Sequence, residues 1–213
     1  MKNLDILYED NSVIIVNKPA GLAVQGGKNV KTSLDKILAE LLQPAPLLVH
    51  RLDKDTSGIL LAAKTKEAAA RFSRYLGSSM EGERKAIKQY TAVCAGSPKE
   101  KEGVIETQLE VHGVMKSSLT KYKVIKTGEL SGTNYSVMEI ELGTGRMHQI
   151  RRHLASIDNP ILGDDKYGDF TLNKKIRKEG VKRLMLHASR LIIKEANLNI
   201  SCPPPFYSLI TTH

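Results

Sequence analysis

A short polar segment, HRLDKDTSG at residues 50–58, lies between the apolar stretches Leu47–Val49 and Ile59–Ala63 and carries a carboxylate, Asp53. A carboxylate placed between buried segments must be paired or solvated, because burying it alone is strongly unfavourable. Such a group can act in catalysis as a nucleophile or a general base. A second interpretation stays open, in which the Asp53 side chain only caps the turn formed by the residues that follow it.

A second segment, GTGRMHQIRRH at residues 143–153, predicts a helix that opens just after two glycines and carries three arginines and two histidines. Free amide groups at a helix start, together with guanidinium groups, favour phosphate or carboxylate ligands. An arginine of this helix could also pair with Asp53 and hold it ionised. The alternative is a solvated basic helix end without a ligand.

Metal binding is a weaker interpretation of the same residues. His148 and His153 are five positions apart and do not share a helical face well, and no cysteine or second carboxylate completes a zinc site. Asp53 and Asp55 could hold magnesium if the strand continued, because alternate residues of an extended segment point the same way. The intervening Lys54 and the following turn argue against that site.

Composition indicates a globular protein with affinity for polyanions. The chain has 213 residues, a net charge of +9 and a pI near 9.5, so nucleic acid is the first candidate partner and an ordinary basic surface the alternative. The most basic stretch, Lys166–Arg183, has seven basic and two acidic residues and is predicted to be an exposed excursion that could grip phosphates. The chain begins without a signal-like segment, and its apolar runs are too short to span a bilayer, which predicts a cytoplasmic protein.

Hydrophobic spacing and turn residues predict the elements that must position these segments. Two short strands surround the Asp10-Asn11 pair within Ile6–Val16, and a helix capped by Thr32 or Ser33 runs to Leu42. The remaining predicted helices are Glu67–Leu76 and Met147–Ile157, and the remaining predicted strands are Leu47–Val49, Ile59–Ala63, Gln89–Ala95, Tyr135–Leu142 and Leu184–Ile193.

Several of these segments together resemble RluA-type RNA pseudouridine synthases, which carry their signature segments in the same order. The resemblance begins at YEDN (residues 8–11) and runs to about Ile193, so it covers nearly the whole chain. The segments that carry it are VNKPAG at 16–21, HRLDKDTSG at 50–58, KQY at 88–90, GRMHQIR at 145–151 and LHA at 186–188. One departure is Met147, where relatives usually place a small hydroxyl residue.

The resemblance implies an α+β pseudouridine synthase fold, with a long mixed, largely antiparallel central sheet flanked by helices and crossed by an RNA-binding cleft. Residues 1–213 would form a single catalytic domain, with two lobes at most and no separate RNA-binding module. It implies that Asp53 is the catalytic carboxylate, that Tyr90 packs beside the target uracil and that Arg151 pairs with Asp53. RNA contacts are expected from a further set of residues: Arg51, Thr56, Arg146, His148 and Gln149.

By the same resemblance, the chain isomerises uridine in structured RNA to pseudouridine without a metal or an organic cofactor. The expected partner is large-subunit ribosomal RNA, with transfer RNA as the alternative, and the expected state is a monomer that contacts no membrane. Two other functions stay open: an RNA-binding protein without catalysis, and a magnesium-dependent nucleotidyl or phosphoryl transferase.

Overall fold

A computed structural model describes residues 4–27, 30–77, 85–111 and 113–206. These residues form a ten-stranded, mixed and largely antiparallel sheet with four flanking α-helices, so the predicted α+β class is confirmed. The strands are β1 Asp5–Glu9, β2 Val13–Lys18, β3 Leu47–Leu48, β4 Ser57–Ala63, β5 Ala86–Ala95, β6 Glu102–Val111, β7 Val114–Leu130, β8 Thr133–Leu142, β9 Leu186–Ile193 and β10 Leu198–Ser201. The helices are α1 Leu34–Leu41, α2 Lys66–Leu76, α3 Gln149–Ser156 and α4 Phe170–Ile176.

The described residues divide into two compact units. Unit 1 contains residues 4–77, 85–87 and 188–202, and unit 2 contains residues 88–187 and 203–206, apart from the gaps given above. The boundaries fall inside β5 and β9. The prediction that the chain folds as a single domain stays a prediction. Within the part of the chain that the structure describes, no helix is both long and apolar enough to cross a membrane.

Unit 1 is built on the predicted hairpin of β1 and β2. Asp10 closes this hairpin, because its Oδ1 accepts hydrogen bonds from the backbone N–H groups of Ser12 at 2.6 Å and Val13 at 2.8 Å. Strand β2 pairs with β4, β4 also pairs with β3, and β9 pairs with β10, all antiparallel. Helix α2 packs Phe72 and two neighbouring apolar side chains into the core between these strands.

Unit 2 contains an antiparallel arrangement in the order β5, β8, β7, β6. The β6–β7 hairpin was not predicted, because its exposed residues mix charged, polar and apolar side chains and so interrupt any apolar alternation. The predicted helix after Gly145 begins later, at Gln149, since His148 has the left-handed φ of 54°. The basic stretch is not a bare excursion: it contains α4, which buries Leu172 and Ile176 while leaving its basic residues exposed.

Candidate active site

The turn that carries Asp53 is closed by main-chain atoms. The backbone N–H of Thr56 donates to the main-chain oxygen of Asp53 at 3.2 Å. Asp53 is half-buried, with the exposed Arg51 before it and the buried Thr56 after it. The main chain of Asp53 therefore takes part in closing the turn.

Lys18, which was not predicted as a site residue, anchors this turn through its side chain. Its side chain is completely buried, and its Nζ donates to the main-chain oxygens of Pro19, Leu22 and Lys54, each at 2.9 Å. The backbone N–H of Gly21 donates to the same Lys54 oxygen at 2.9 Å. A buried ammonium group is tolerated because three carbonyl dipoles replace its water. The hydrogen bonds from Lys18 and Gly21 to the Lys54 oxygen thus fix the main chain directly after Asp53.

Both ends of the polar segment are fixed as well. His50 Nε2 accepts a hydrogen bond from the backbone N–H of Leu61 at 2.9 Å, which joins the start of the segment to β4. Gly58 has a φ of 111°, and a Cβ there would lie 2.3 Å from the main-chain oxygen of Ala188. Only glycine fits this approach of β4 to β9. Gly58 of the HRLDKDTSG segment and Ala188 of the LHA segment are therefore the two sides of one close backbone contact.

Thr56 and Gln149, both predicted to contact RNA, are buried. Thr56 is 2% exposed, and its Oγ1 has no hydrogen-bond partner within the described ranges. Gln149 is 3% exposed. Its Oε1 accepts from Thr144 Oγ1 at 2.6 Å and from the backbone N–H of Arg146 at 3.0 Å.

The other end of the Gln149 amide is equally occupied. Its Nε2 donates to the main-chain oxygen of Leu119 at 2.9 Å and to Thr120 Oγ1 at 3.0 Å. An amide group offers two donors and two acceptor sites, and all four are used. These bonds tie the loop that carries Arg146 to β7, and the predicted RNA contact of Gln149 stays a prediction.

Arg151 is held by a carboxylate that the sequence analysis did not name, Asp164. Arg151 Nε donates to Asp164 Oδ2 at 2.8 Å and Nη2 donates to Oδ1 at 2.7 Å, with both side chains almost fully buried. The backbone N–H groups of Lys166 and Tyr167 also donate to Asp164 Oδ1, each at 2.9 Å. Burial opposes ionisation of this carboxyl group, but the hydrogen bonds from Arg151 and the two amides outweigh it and hold the pKa of Asp164 below its usual range.

Tyr167 joins two of the predicted site residues within unit 2. The Arg151 guanidinium lies 5.3 Å from the centroid of the Tyr167 ring, and the Tyr167 hydroxyl is 3.1 Å from His148 Nδ1. Arg146 is half-buried, and its Nε donates to the main-chain oxygen of Ser117 at 3.3 Å. Unit 2 therefore brings Arg151 and His148 together around one aromatic ring.

Tyr90 lies on β5 opposite Ile140 of β8 and is 8% exposed. Its predicted position beside the target base stays a prediction, as does the predicted pairing of Arg151 with Asp53.

The sequence model of a family described as RNA pseudouridylate synthase matches residues 12–156, which include Asp53, Tyr90 and Arg151. The chain belongs to this family. The resemblance seen in the sequence is thus confirmed, and the protein is an RNA pseudouridine synthase, an isomerase that converts uridine to pseudouridine. The sequence also left open RNA binding without catalysis and metal-dependent phosphoryl transfer. The family assignment favours the synthase over both.

Curated relatives and solved structures agree with the assignment. The chain is 36% identical to ribosomal large subunit pseudouridine synthase C of Rickettsia typhi, over 95% of this chain and 68% of the relative. It is 35% identical to tRNA pseudouridine synthase C of Haemophilus ducreyi, over 88% of this chain and 84% of the relative. Human RNA pseudouridylate synthase domain containing 1 superimposes with a TM-score of 0.78 and 28% identity, covering 98% of this chain and 86% of that chain.

Proposed function

We propose that Asp53 is the catalytic carboxylate of this pseudouridine synthase and that large-subunit ribosomal RNA is its substrate. The observation that supports the first part most directly is the anchoring of the Asp53 turn by Lys18, which fixes the main chain directly after Asp53. A reacting group needs such a rigid support, because small errors in its position cost large factors in rate.

In the proposed reaction the N-glycosidic bond of a uridine breaks, the uracil rotates while it stays trapped, and a new bond forms between C5 and the ribose. Asp53, as an ionised group, either attacks the nucleoside covalently or removes a proton from the ribose. The proton on C5 leaves at the end of the reaction, and no atom other than hydrogen is exchanged with water.

Two residues of unit 2 assist in this proposal. Arg151 pairs with Asp53 and keeps it charged and oriented, and the Asp164 carboxylate keeps the Arg151 guanidinium in one plane. Tyr90 stacks on the uracil. A target uridine inside folded RNA must be flipped out of its stack, and an aromatic wall and cationic contacts compensate for the stacking energy that is lost.

The RNA itself is held by cationic and polar groups at the site. Arg51 is exposed next to Asp53 and fills the space left by the everted base, while Arg146 and His148 contact the phosphate backbone. The buried Thr56 hydroxyl reaches RNA only if its turn opens. The choice of large-subunit ribosomal RNA follows relatives with that name, which align over 95% of this chain; transfer RNA is the second candidate, after the relative from Haemophilus ducreyi.

The test is a transcriptome-wide pseudouridine map of the source cells with and without this gene, with either the native copy or an Asp53→Asn copy restored. We expect one or a few sites to vanish and only the native copy to restore them, because the amide can neither attack nor accept the proton. If the Asp53→Asn copy restores the sites, Asp53 is not the catalytic carboxylate. Sites that vanish from transfer RNA instead would move the substrate to the second candidate.

The same proposal describes a cytoplasmic monomer whose two units unfold together as one domain. Light scattering should give the mass of one chain, 23.5 kDa. Urea denaturation should give a single transition by two different probes. A dimer mass would contradict the monomer, and two separated transitions would contradict the single domain.

A further inference from the structure

The most exposed large apolar side chain among the described residues is an aromatic ring, Phe170, at the first position of α4. It is 62% exposed, whereas the other two phenylalanines of the chain, Phe72 and Phe206, are 2% and 6% exposed. Exposing an aromatic ring to water is unfavourable. A partner that covers the ring would recover this free energy.

Helical geometry places Phe170 among cations. Residues four apart lie one above the other on a helix, so Phe170 and Lys174 share a face. That face is opposite the one that buries Leu172 and Ile176. We use the name "α4 patch" for this exposed surface, which consists of Phe170, Lys174, Lys175, Arg177 and Lys178.

The two nearby acidic groups reduce this charge but do not cancel it, because the patch carries four cations. Asp169 Oδ1 accepts from the backbone N–H of Leu172 at 2.9 Å as the cap of α4, and Glu179 Oε1 accepts from Ser131 Oγ at 3.1 Å. Strand β7 offers a contrast, because its Lys123 lies opposite Glu102 of β6 and Glu139 of β8. The cations of the α4 patch therefore keep an excess of positive charge, while Lys123 of β7 faces two carboxylates.

The α4 patch has a rigid connection to the loop that holds Arg151. Asn173 of α4 accepts from the backbone N–H of Gly163 at 2.8 Å and donates to the main-chain oxygen of Asp164 at 2.8 Å. Asp164 is the residue whose carboxylate grips Arg151. A ligand on the patch is thus held at a fixed position relative to Arg151.

We propose that the α4 patch binds an unpaired nucleotide of the substrate RNA, with its base stacked on Phe170 and its flanking phosphates on Lys174 and Arg177. Aromatic rings beside cations bind single-stranded nucleic acid in this way, because every base has a flat face and every linkage a negative charge. This inference rests on the proposed function only in taking RNA as the ligand. It adds a binding site outside the residues assigned to catalysis.

The chain contains no tryptophan, so Phe170→Trp introduces a single fluorescent reporter at the patch. The probe is a single-stranded RNA of mixed sequence, about 12 nucleotides long to span one such site, titrated into the full chain at low salt. Stacking should quench the fluorescence of the introduced indole along a saturable curve. The matched control is Ile125→Trp on β7, which is also exposed, at 50% for the native side chain, and which should show no saturable quenching. Equal quenching of both variants, or none at Phe170→Trp, overturns the proposal.

A second set of variants separates stacking from simple apolar contact and from charge. Phe170→Tyr should keep the native affinity in fluorescence anisotropy, while Phe170→Leu and Phe170→Ala should each weaken binding by about tenfold. Lys174→Ala should lower the slope of log K against log salt by about 0.7, and the control Lys123→Ala should not. Native affinity in Phe170→Ala, or a fully duplex RNA that binds as well as the single strand, contradicts the proposal.

These measurements fail independently of the proposed function. Altered pseudouridine sites together with unquenched fluorescence of the Phe170→Trp variant would refute the α4 patch alone. Quenched fluorescence of that variant, in a chain whose deletion changes no pseudouridine site, would support the patch and refute the proposed substrate.

Discussion

The turn that carries Asp53 and the loop that holds Arg151 are fixed in different ways. In the turn, the buried Lys18 ammonium binds main-chain carbonyls, including that of Lys54. In the loop, the bonds are made by side chains: Asp164 grips the Arg151 guanidinium through two hydrogen bonds. The first arrangement fixes a backbone, whereas the second fixes the plane of one side chain.

This difference determines which substitutions each region tolerates. Side chains in the Asp53 turn can change without loss of these three hydrogen bonds, because Lys18 makes them to main-chain oxygens. The guanidinium of Arg151, in contrast, depends on the identity of one side chain, since two parallel hydrogen bonds need a carboxylate of matching geometry. We therefore expect substitution of Lys18 to affect stability most and substitution of Asp164 to affect activity more than stability alone would explain.

Lys18→Met should have the largest effect on stability. The substitution keeps the length of the side chain but leaves three carbonyl oxygens without the buried ammonium group that donates to them. We expect a loss of about 4 kcal/mol in the free energy of unfolding. Urea denaturation measures it. The matched control is Lys54→Met: the Lys54 side chain is exposed and only its main-chain oxygen is used, so the change should stay within about 0.5 kcal/mol. Equal losses in the two variants would disprove the anchoring role.

Asp164→Asn should lower the free energy of unfolding by about 3 kcal/mol, because it removes one partner of a buried ion pair. It should also lower kcat by about 10- to 100-fold through a misplaced guanidinium, with a smaller change in KM. The control is Asp165→Asn, since Asp165 is 83% exposed and lies 3.3 Å from the same guanidinium; an exposed pair contributes at most about 1 kcal/mol. If the two variants behave alike, Arg151 does not depend on the buried carboxylate.

Gln149→Ala should cost about 2 to 3 kcal/mol, because four hydrogen bonds are lost, two of them fully buried. The exposed Gln108 of β6 offers a matched control, and Gln108→Ala should be nearly neutral. Chemical denaturation of the two variants gives the comparison. RNA affinity is the second readout. A fall in affinity without a fall in stability would support the direct RNA contact predicted for Gln149.

Local pattern was sufficient for the short elements of the fold but not for the long hairpin. Helix α2 was predicted to within one residue, since Phe72 and Leu76 recur at helical spacing and Thr65 accepts from the backbone N–H of Ala68 at 3.1 Å as a cap. The 17-residue strand β7 was missed. Its two faces are both largely polar, and the register of β6 and β7 depends on pairing between distant residues.

At the site, the sequence indicated the groups that we propose for the reaction but not the groups that hold them. Asp53 stands out because a carboxylate between apolar strands is unusual. Lys18 and Asp164 do not, because Lys18 reaches the Asp53 turn through a carbonyl 36 positions away and Asp164 binds a guanidinium 13 positions away. One signal was available for Lys18: it continues the buried stretch of β2, where a charged residue has to find partners.

The smallest effect that we predict concerns His153, which joins α3 to the β6–β7 hairpin. Its Nε2 lies 2.9 Å from Ser118 Oγ and 3.1 Å from Thr107 Oγ1. Burial, assisted by the charge of Arg152, lowers the pKa of His153 to about 4. Since the unfolded chain binds this proton more tightly, stability is complete above the ordinary histidine range and falls as the pH drops toward 4.

Between about pH 8 and pH 5 we expect a loss of about 1 to 2 kcal/mol from this group, measured by urea denaturation at each pH. His153→Gln removes the titration, so its stability should change less over the same interval, and parallel curves for the two proteins would contradict the assignment. Hydrogen exchange sharpens the comparison between the two regions. Acid should speed exchange of the α3 amides first and leave those beside Lys18 protected. The bonds of Lys18 go to main-chain carbonyls, which do not titrate, whereas burial of the His153 ring favours its neutral form.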